Sequence, residues 1–338
     1  MTLFVISALC FTAVIAQDVI ISKLGNDLRY QYVQGGDAVT LEDTWLTQPM
    51  LRDGDIDSGS IGYWPPRDNE FHLFTRANPT VSQPLVYNNE NVFAASNFSP
   101  NRRTILLLHG YRGSATSNSN LVLIPAYLSA DDVNVVVVDW SRGANIGTAL
   151  AGIYASWSSL FTAFFTLWLS NVSGQPLNQF TLVGFGLSGL KVGQIGRLLE
   201  RNVGHVVALD PTFGPRIHEL IPQVRPDDGI HTEVVHTNVG NLGFIRPMGN
   251  VDFYPNGGIN MAGCGRDDDC DHNRAYFYWA ESLTSGGFTG VQCEDFEEAL
   301  NQECRGPATA QMGGVVPRTG TRGVFSFETN PAPPFSRG

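Results

Sequence analysis

The segment Val133 to Val138 (VNVVVV) constrains this chain more than any other, because its run of β-branched residues shows no polar alternation. A strand of that kind has no face to offer water, so it belongs in a sheet covered on both sides. Similar runs recur at Thr104 to Leu108 (TILLL), Phe180 to Val183 (FTLV) and His205 to Leu209 (HVVAL). Helical stretches at Leu121 to Ser129, Ile146 to Leu169 and Leu190 to Arg201 lie between them. The alternation predicts an α/β fold, with a mainly parallel central sheet covered by helices on both faces. Ligands of such sheets bind beyond the carboxyl ends of the strands, so the turns after Leu108, Val138, Val183 and Leu209 are where chemistry is expected.

Composition narrows the class. Only 16% of the 338 residues are charged, against roughly 25% in an average soluble protein. With 43% hydrophobic residues this speaks against disorder and against a coiled coil. The net charge of -11 would repel phosphate backbones, so no nucleic-acid partner is expected. The stretch Ile146 to Leu169 is apolar enough to suggest a membrane span. Thr148, Ser156, Ser158, Ser159, Thr162 and Thr166 interrupt it, and a buried crossover helix with no integral membrane association is the expected arrangement.

Residues 1–16 (MTLFVISALCFTAVIA) carry no charge and end in small residues, which predicts a signal peptide and a secreted, extracellular product. Its removal takes Cys10 with it and leaves Cys264, Cys270, Cys293 and Cys304. In an oxidising compartment these predict two disulfides, and the short spacings favour 264 with 270 and 293 with 304. Asn97-Phe-Ser and Asn171-Val-Ser are acceptor sequences for glycosylation in the same compartment. Residues 17–69 are polar and rich in turns, and are expected to pack as an extension on a domain spanning 70–338. Within them Asp53 to Asp57 resembles the start of a calcium loop. Ser58 and Trp64 stand where Gly and Glu are required, so calcium binding there is rejected, and no metal or cofactor is expected.

The turn after the third strand reads Gly184-Phe-Gly-Leu-Ser-Gly189 and leads into a helix. Strand, tight Gly-rich turn and helix are the frame of the G-x-S-x-G nucleophile elbow of α/β-hydrolases, yet Gly186 occupies the nucleophile position. The turn after Leu209 places Asp210 at a strand end, and His272 follows in Cys270-Asp-His-Asn-Arg-Ala-Tyr. Nucleophile position, acid and histidine stand in the order that fold uses.

From Phe71 onward the chain resembles the pancreatic-lipase family of secreted animal and insect lipases, through FHLFTRANP, LLLHGYRG, VVVVDWSRGA, the elbow, VVALDP, VDFYPNGG and CDHNRAY. The resemblance implies an α/β-hydrolase fold, Asp210 as triad acid, His272 as triad base, and an oxyanion hole made by Tyr111 and the amide of Leu187. The family's G-H-S-L-G is Gly184-Phe185-Gly186-Leu187-Ser188 here, so the nucleophile is missing. The same loss resembles the yolk proteins of higher flies. Without an Oγ no acyl-enzyme forms. The expected product is therefore a lipase-like protein without hydrolase activity, holding a lipid or small apolar ligand. The alternative is an active ester hydrolase, lipase or phospholipase A-type, using Ser188 or water with Asp210 and His272. Ser188 lies two residues on, roughly 200° around the helix, and is expected to face away from the site. The Cys264 to Cys270 segment resembles a short lid, with Asp267, Asp268, Asp269 and Asp271 making an acidic rim. No carboxyl-terminal sandwich domain is expected, so no colipase-type partner is implied.

Overall fold

The computed structural model describes residues 62–338 except 213 and 215–219. The expected signal peptide and nearly all of the extension, with its rejected calcium loop, lie outside the described residues.

Among the described residues eleven strands form one sheet: β1 (Glu70–Phe74), β2 (Gln83–Leu85), β3 (Thr104–Leu108), β4 (Asn134–Asp139), β5 (Phe180–Phe185), β6 (His205–Leu209), β7 (Thr232–Val235), β8 (Val251–Pro255), β9 (Thr289–Cys293), β10 (Thr309–Gln311) and β11 (Gly323–Phe327). Their order is β10-β9-β11-β8-β7-β6-β5-β3-β4-β1-β2. The block from β11 to β4 is parallel throughout. Antiparallel pairs close both edges, β1 and β2 beyond β4, β9 and β10 beyond β11. The apolar runs of β3 to β6 are buried almost without exception, which is why they read as continuous hydrophobic segments.

Four long helices cover the sheet: α1 (Asn118–Ala130), α2 (Thr148–Ser173), α3 (Leu187–Leu198) and α4 (Asp268–Thr284). On one face α2 packs on α3 over Leu106, Val136, Leu182 and Val206. On the other α1 packs on α4 over Ile105, Val135, Val183 and Val207. Successive residues of each strand thus feed opposite cores.

Helix α2 departs from its expected full burial. Leu150–Ser173 is long and apolar enough to cross a membrane, and 56% of its most apolar window is buried. Leu150, Trp157, Leu160, Phe164 and Leu167 form an exposed stripe on its outer side. Two of its buried hydroxyls spend their donors inside the helix: Ser159 Oγ donates to the Ala155 carbonyl and Thr166 Oγ1 to that of Thr162. Gly174, left-handed at φ 73°, ends it.

Candidate active site

The turn between β5 and α3 is held from three sides. The Gly186 amide donates to the Leu209 carbonyl at 3.0 Å, and its own carbonyl accepts from Thr212 N at 3.1 Å and Gly189 N at 2.9 Å. These bonds fix Gly186 at φ 58°, ψ -119°, a region that residues with a Cβ avoid. Gly184 is required for another reason, since a Cβ there would lie 2.0 Å from the Ser188 carbonyl oxygen.

Asp210 closes β6 with φ 40° and is fully buried. Its Oδ1 accepts from Thr237 N at 2.7 Å and Asn238 N at 3.0 Å, while its Oδ2 lies 2.5 Å from His272 Nδ1. Gly243 makes room for this carboxylate, because a Cβ at that position would stand 2.4 Å from Oδ1. Helix α4 brings in His272, whose side chain is 13% exposed. The ring lies against Phe185, centroids 4.4 Å apart, and Tyr276 braces Phe185 edge-on at 5.0 Å. The outer nitrogen points at the elbow: a Cβ built on Gly186 would be 3.1 Å from His272 Nε2 and 3.4 Å from Thr212 Oγ1.

The structure therefore brings Gly186, Asp210 and His272 together at the carboxyl ends of β5 and β6. With glycine at the centre, the pair can orient a base but has no hydroxyl at position 186 to deprotonate. Ser188 does not enter the site. It is buried, and its Oγ donates to the His109 carbonyl at 2.5 Å, which Trp140 Nε1 also engages at 2.9 Å. Leu187 opens α3 directly after Gly186, and among the described residues no backbone group is seen to accept from the amide of Tyr111 or of Leu187. The Tyr111 hydroxyl is occupied, donating to the Ile146 carbonyl at 2.9 Å. Thr212, the amides of Thr237 and Asn238, and Gly243 were not anticipated. Only Thr212 had a sequence signal, standing two residues after Asp210 in the same turn.

Both expected disulfides are present, Cys264–Cys270 and Cys293–Cys304. Of the acidic residues expected around the first, Asp267 and Asp268 are exposed and Asp269 half-buried, whereas Asp271 turns inward, and several of these carboxylates also serve as structural acceptors. Asp267 caps α4 by accepting from Asp269 N and Cys270 N, and Asp268 Oδ1 accepts from Asn238 Nδ2 and Asn241 Nδ2. Asp271 is buried, binds the Met261 amide at 2.6 Å, and burial pushes its carboxyl up to about 6. Acidic residues in a first helical turn also complement the helix dipole. Of the two glycosylation sequences, Asn171 is exposed near the end of α2, whereas the Asn97 amide is engaged, donating to Asn78 Oδ1 at 3.0 Å.

The family described as Lipase matches residues 64–323. The chain is 30% identical over 270 residues to pancreatic lipase-related protein 2 of Mus musculus, covering 71% of this chain and 56% of that one. It is likewise 30% identical over 246 residues to lipase member H of Oryctolagus cuniculus, covering 69% and 53%. The chain thus spans little more than half the length of these relatives. Among solved structures it is similar to a Pyrococcus furiosus esterase at 13% identity, covering 64% of this chain and 80% of that one with a TM-score of 0.32.

Proposed function

Because the chain belongs to the lipase family, we propose that it is a secreted lipase-like protein that has lost ester hydrolysis and holds a lipid or other small apolar ligand in the cleft above Gly186, as a binding or yolk-type storage protein. The observation that carries this reading is that position 186, toward which His272 Nε2 points, is a glycine and offers no hydroxyl of its own. The Asp210–His272 pair supplies an oriented base, and the amides of Tyr111 and Leu187 supply two donors for an oxygen. Those parts alone leave direct attack by water, which in dismantled triads gives about 10³ to 10⁴ over the uncatalysed reaction, far below a working lipase. Ser188 is no substitute, since its hydroxyl is committed to His109 on the inner side of the turn. Two features support secretion: the uncharged apolar residues 1–16 and the paired cysteines. Asn171 is the better placed of the two glycan acceptors.

The test is hydrolysis of a short-chain p-nitrophenyl ester and of a phosphatidylcholine by the purified chain, with fluorophosphonate labelling in parallel. The expected result is no covalent adduct and no turnover above background, with lipid in the organic extract of the native protein. Enzyme-like turnover that disappears in His272→Ala, or an adduct mapped to a serine or threonine of the cleft, would overturn the reading.

A further inference from the structure

At the opposite end of the sheet from the cleft, the amino ends of β6 and β7 carry a second cluster of chemically capable side chains. The parallel register sets Val206 beside Thr232, so His205, which opens β6, and His231, the residue just before β7, stand abreast. Glu233, two residues beyond His231, projects from the same face of β7. The outcome is two imidazoles and a carboxylate whose ligand atoms all lie within 4.8 Å of one another, every residue buried. The His205 and His231 rings are 5.5 Å apart between centroids, and Trp279 of α4 lies 6.0 Å from His205.

His205 sets this cluster apart. It is 1% exposed, and neither Nδ1 nor Nε2 has a hydrogen-bond partner among the described residues. Glu233 Oε2 lies 3.3 Å from Nε2 in a geometry that makes no hydrogen bond. A buried polar atom without a partner loses its hydration and gains nothing in return, so native interiors rarely keep one. Meanwhile Glu233 is aimed. Its Oε1 accepts from Gly313 N at 2.8 Å, which turns Oε2 toward the histidines. A carboxylate fixed in this way by an outer hydrogen bond is the arrangement that orients ligands around metals.

We propose that His205, His231 and Glu233 bind a divalent ion of the zinc class, which joins the amino ends of β6 and β7. Two neutral imidazole nitrogens and one carboxylate oxygen suit zinc and its borderline neighbours, and not calcium or magnesium, which take oxygen ligands. The buried position leaves no path for a substrate, so the ion serves as a structural clamp, loaded during folding, with a water or protein group completing its coordination. The site is independent of the lipase-like cleft and stands whether or not that cleft hydrolyses esters.

The experiment uses the full chain without an affinity tag, unfolded in chelator and refolded with excess Zn²⁺ or Co²⁺, then desalted and assayed for bound metal. One ion per chain is expected, with the intense visible absorption of four-coordinate Co²⁺. His205→Gln, His231→Gln and Glu233→Gln are each expected to weaken retention by more than the roughly 10- to 100-fold that loss of an outer-shell partner causes. Metal-free wild type after refolding, or equal metal in wild type and all three variants, would overturn the proposal. Where a variant fails to fold, the wild-type spectrum still decides, since weak six-coordinate Co²⁺ absorption also overturns it.

Discussion

Restoring a serine at position 186 tests the elbow most directly, because two opposing effects can be separated. Gly186 sits at φ 58°, ψ -119°, and any residue with a Cβ pays a backbone cost of about 1–3 kcal/mol in such a region. The added Cβ also lies 3.1 Å from His272 Nε2, so the ring must yield by a few tenths of an ångström while Asp210 holds one side and Phe185 packs against its face. Gly186→Ala carries both penalties without a hydroxyl. Its melting temperature is expected to fall by several degrees, at roughly 2–4 °C per kcal/mol for a domain of this kind. Gly186→Ser carries the same penalties and adds an Oγ within reach of His272 Nε2. Removing the nucleophile of a working triad costs about 10⁶ in kcat, so even partial repair is expected to raise p-nitrophenyl ester hydrolysis at least about 10²-fold over Gly186→Ala. Initial rates and thermal melts on the two variants and wild type decide the matter. A Gly186→Ser protein with native near-ultraviolet dichroism but no more activity than Gly186→Ala would refute the view that the remaining machinery is intact. A Gly186→Ala protein as stable as wild type would refute the strain argument.

Three further outcomes are expected. Gly243→Ala drives a methyl into the Asp210 carboxylate, with an overpacking cost of about 1–3 kcal/mol in urea melts, and abolishes whatever activity Gly186→Ser restores. Breaking the Cys264–Cys270 loop, separation 6, is expected to cost about 2 kcal/mol, and breaking Cys293–Cys304, separation 11, about 3 kcal/mol, both read from urea midpoints of the serine variants. Lys191 is fully buried against Trp140 with Nζ 2.8 Å from Ser158 Oγ, and burial lowers its amine well below the ordinary lysine range despite the nearby Asp139. The unfolded chain therefore takes up the proton that the native state refuses, and stability rises with pH through that window toward the unfolded lysine value. Lys191→Met removes this slope: the variant is expected to be more stable than wild type near pH 6, with a smaller advantage near pH 9.

The central strands were legible because burial on both faces writes itself as uninterrupted apolar sequence. Thr104–Leu108 and His205–Leu209 coincide with the observed strands, and the valine run falls within one residue of Asn134–Asp139. Strands β1, near one edge, and β7, inside the sheet, were not legible. Glu70–Phe74 and Thr232–Val235 mix charged and apolar residues, and their places come from pairing with β4 and β6 rather than from any periodicity of their own. Helix α4 was equally hidden, since its first turn is DDCDH and an Asp267 cap with a disulfide starts it where hydropathy says nothing. In the cleft, Gly186, Asp210 and His272 stood out by motif and order. The amides of Thr237 and Asn238 could not, because a backbone donor has no residue identity and reaches Asp210 from a segment 27 residues away. The same limit concealed His205, His231 and Glu233, which become a cluster only when β6 lies beside β7.

The two members of the surviving pair do not have equal reasons to be there. Asp210 is buried and accepts from Thr237 N and Asn238 N as well as from His272, so Asp210→Ala strands two buried amides and a ring nitrogen. At about 1–3 kcal/mol for each of the three orphaned groups, the loss is expected to reach roughly 3–9 kcal/mol. His272→Ala leaves Asp210 with both amides and removes only a partly exposed ring and its contact with Phe185, an expected loss of about 1–2 kcal/mol. Urea midpoints of the two variants measure the difference, and equal losses would refute it. If the asymmetry holds, the fold alone accounts for Asp210, whose carboxylate ties β6 to the chain that follows β7. It does not account for His272. The histidine is then the residue through which the cleft has to be interrogated, and a change in bound lipid on His272→Ala reports on ligand rather than on folding.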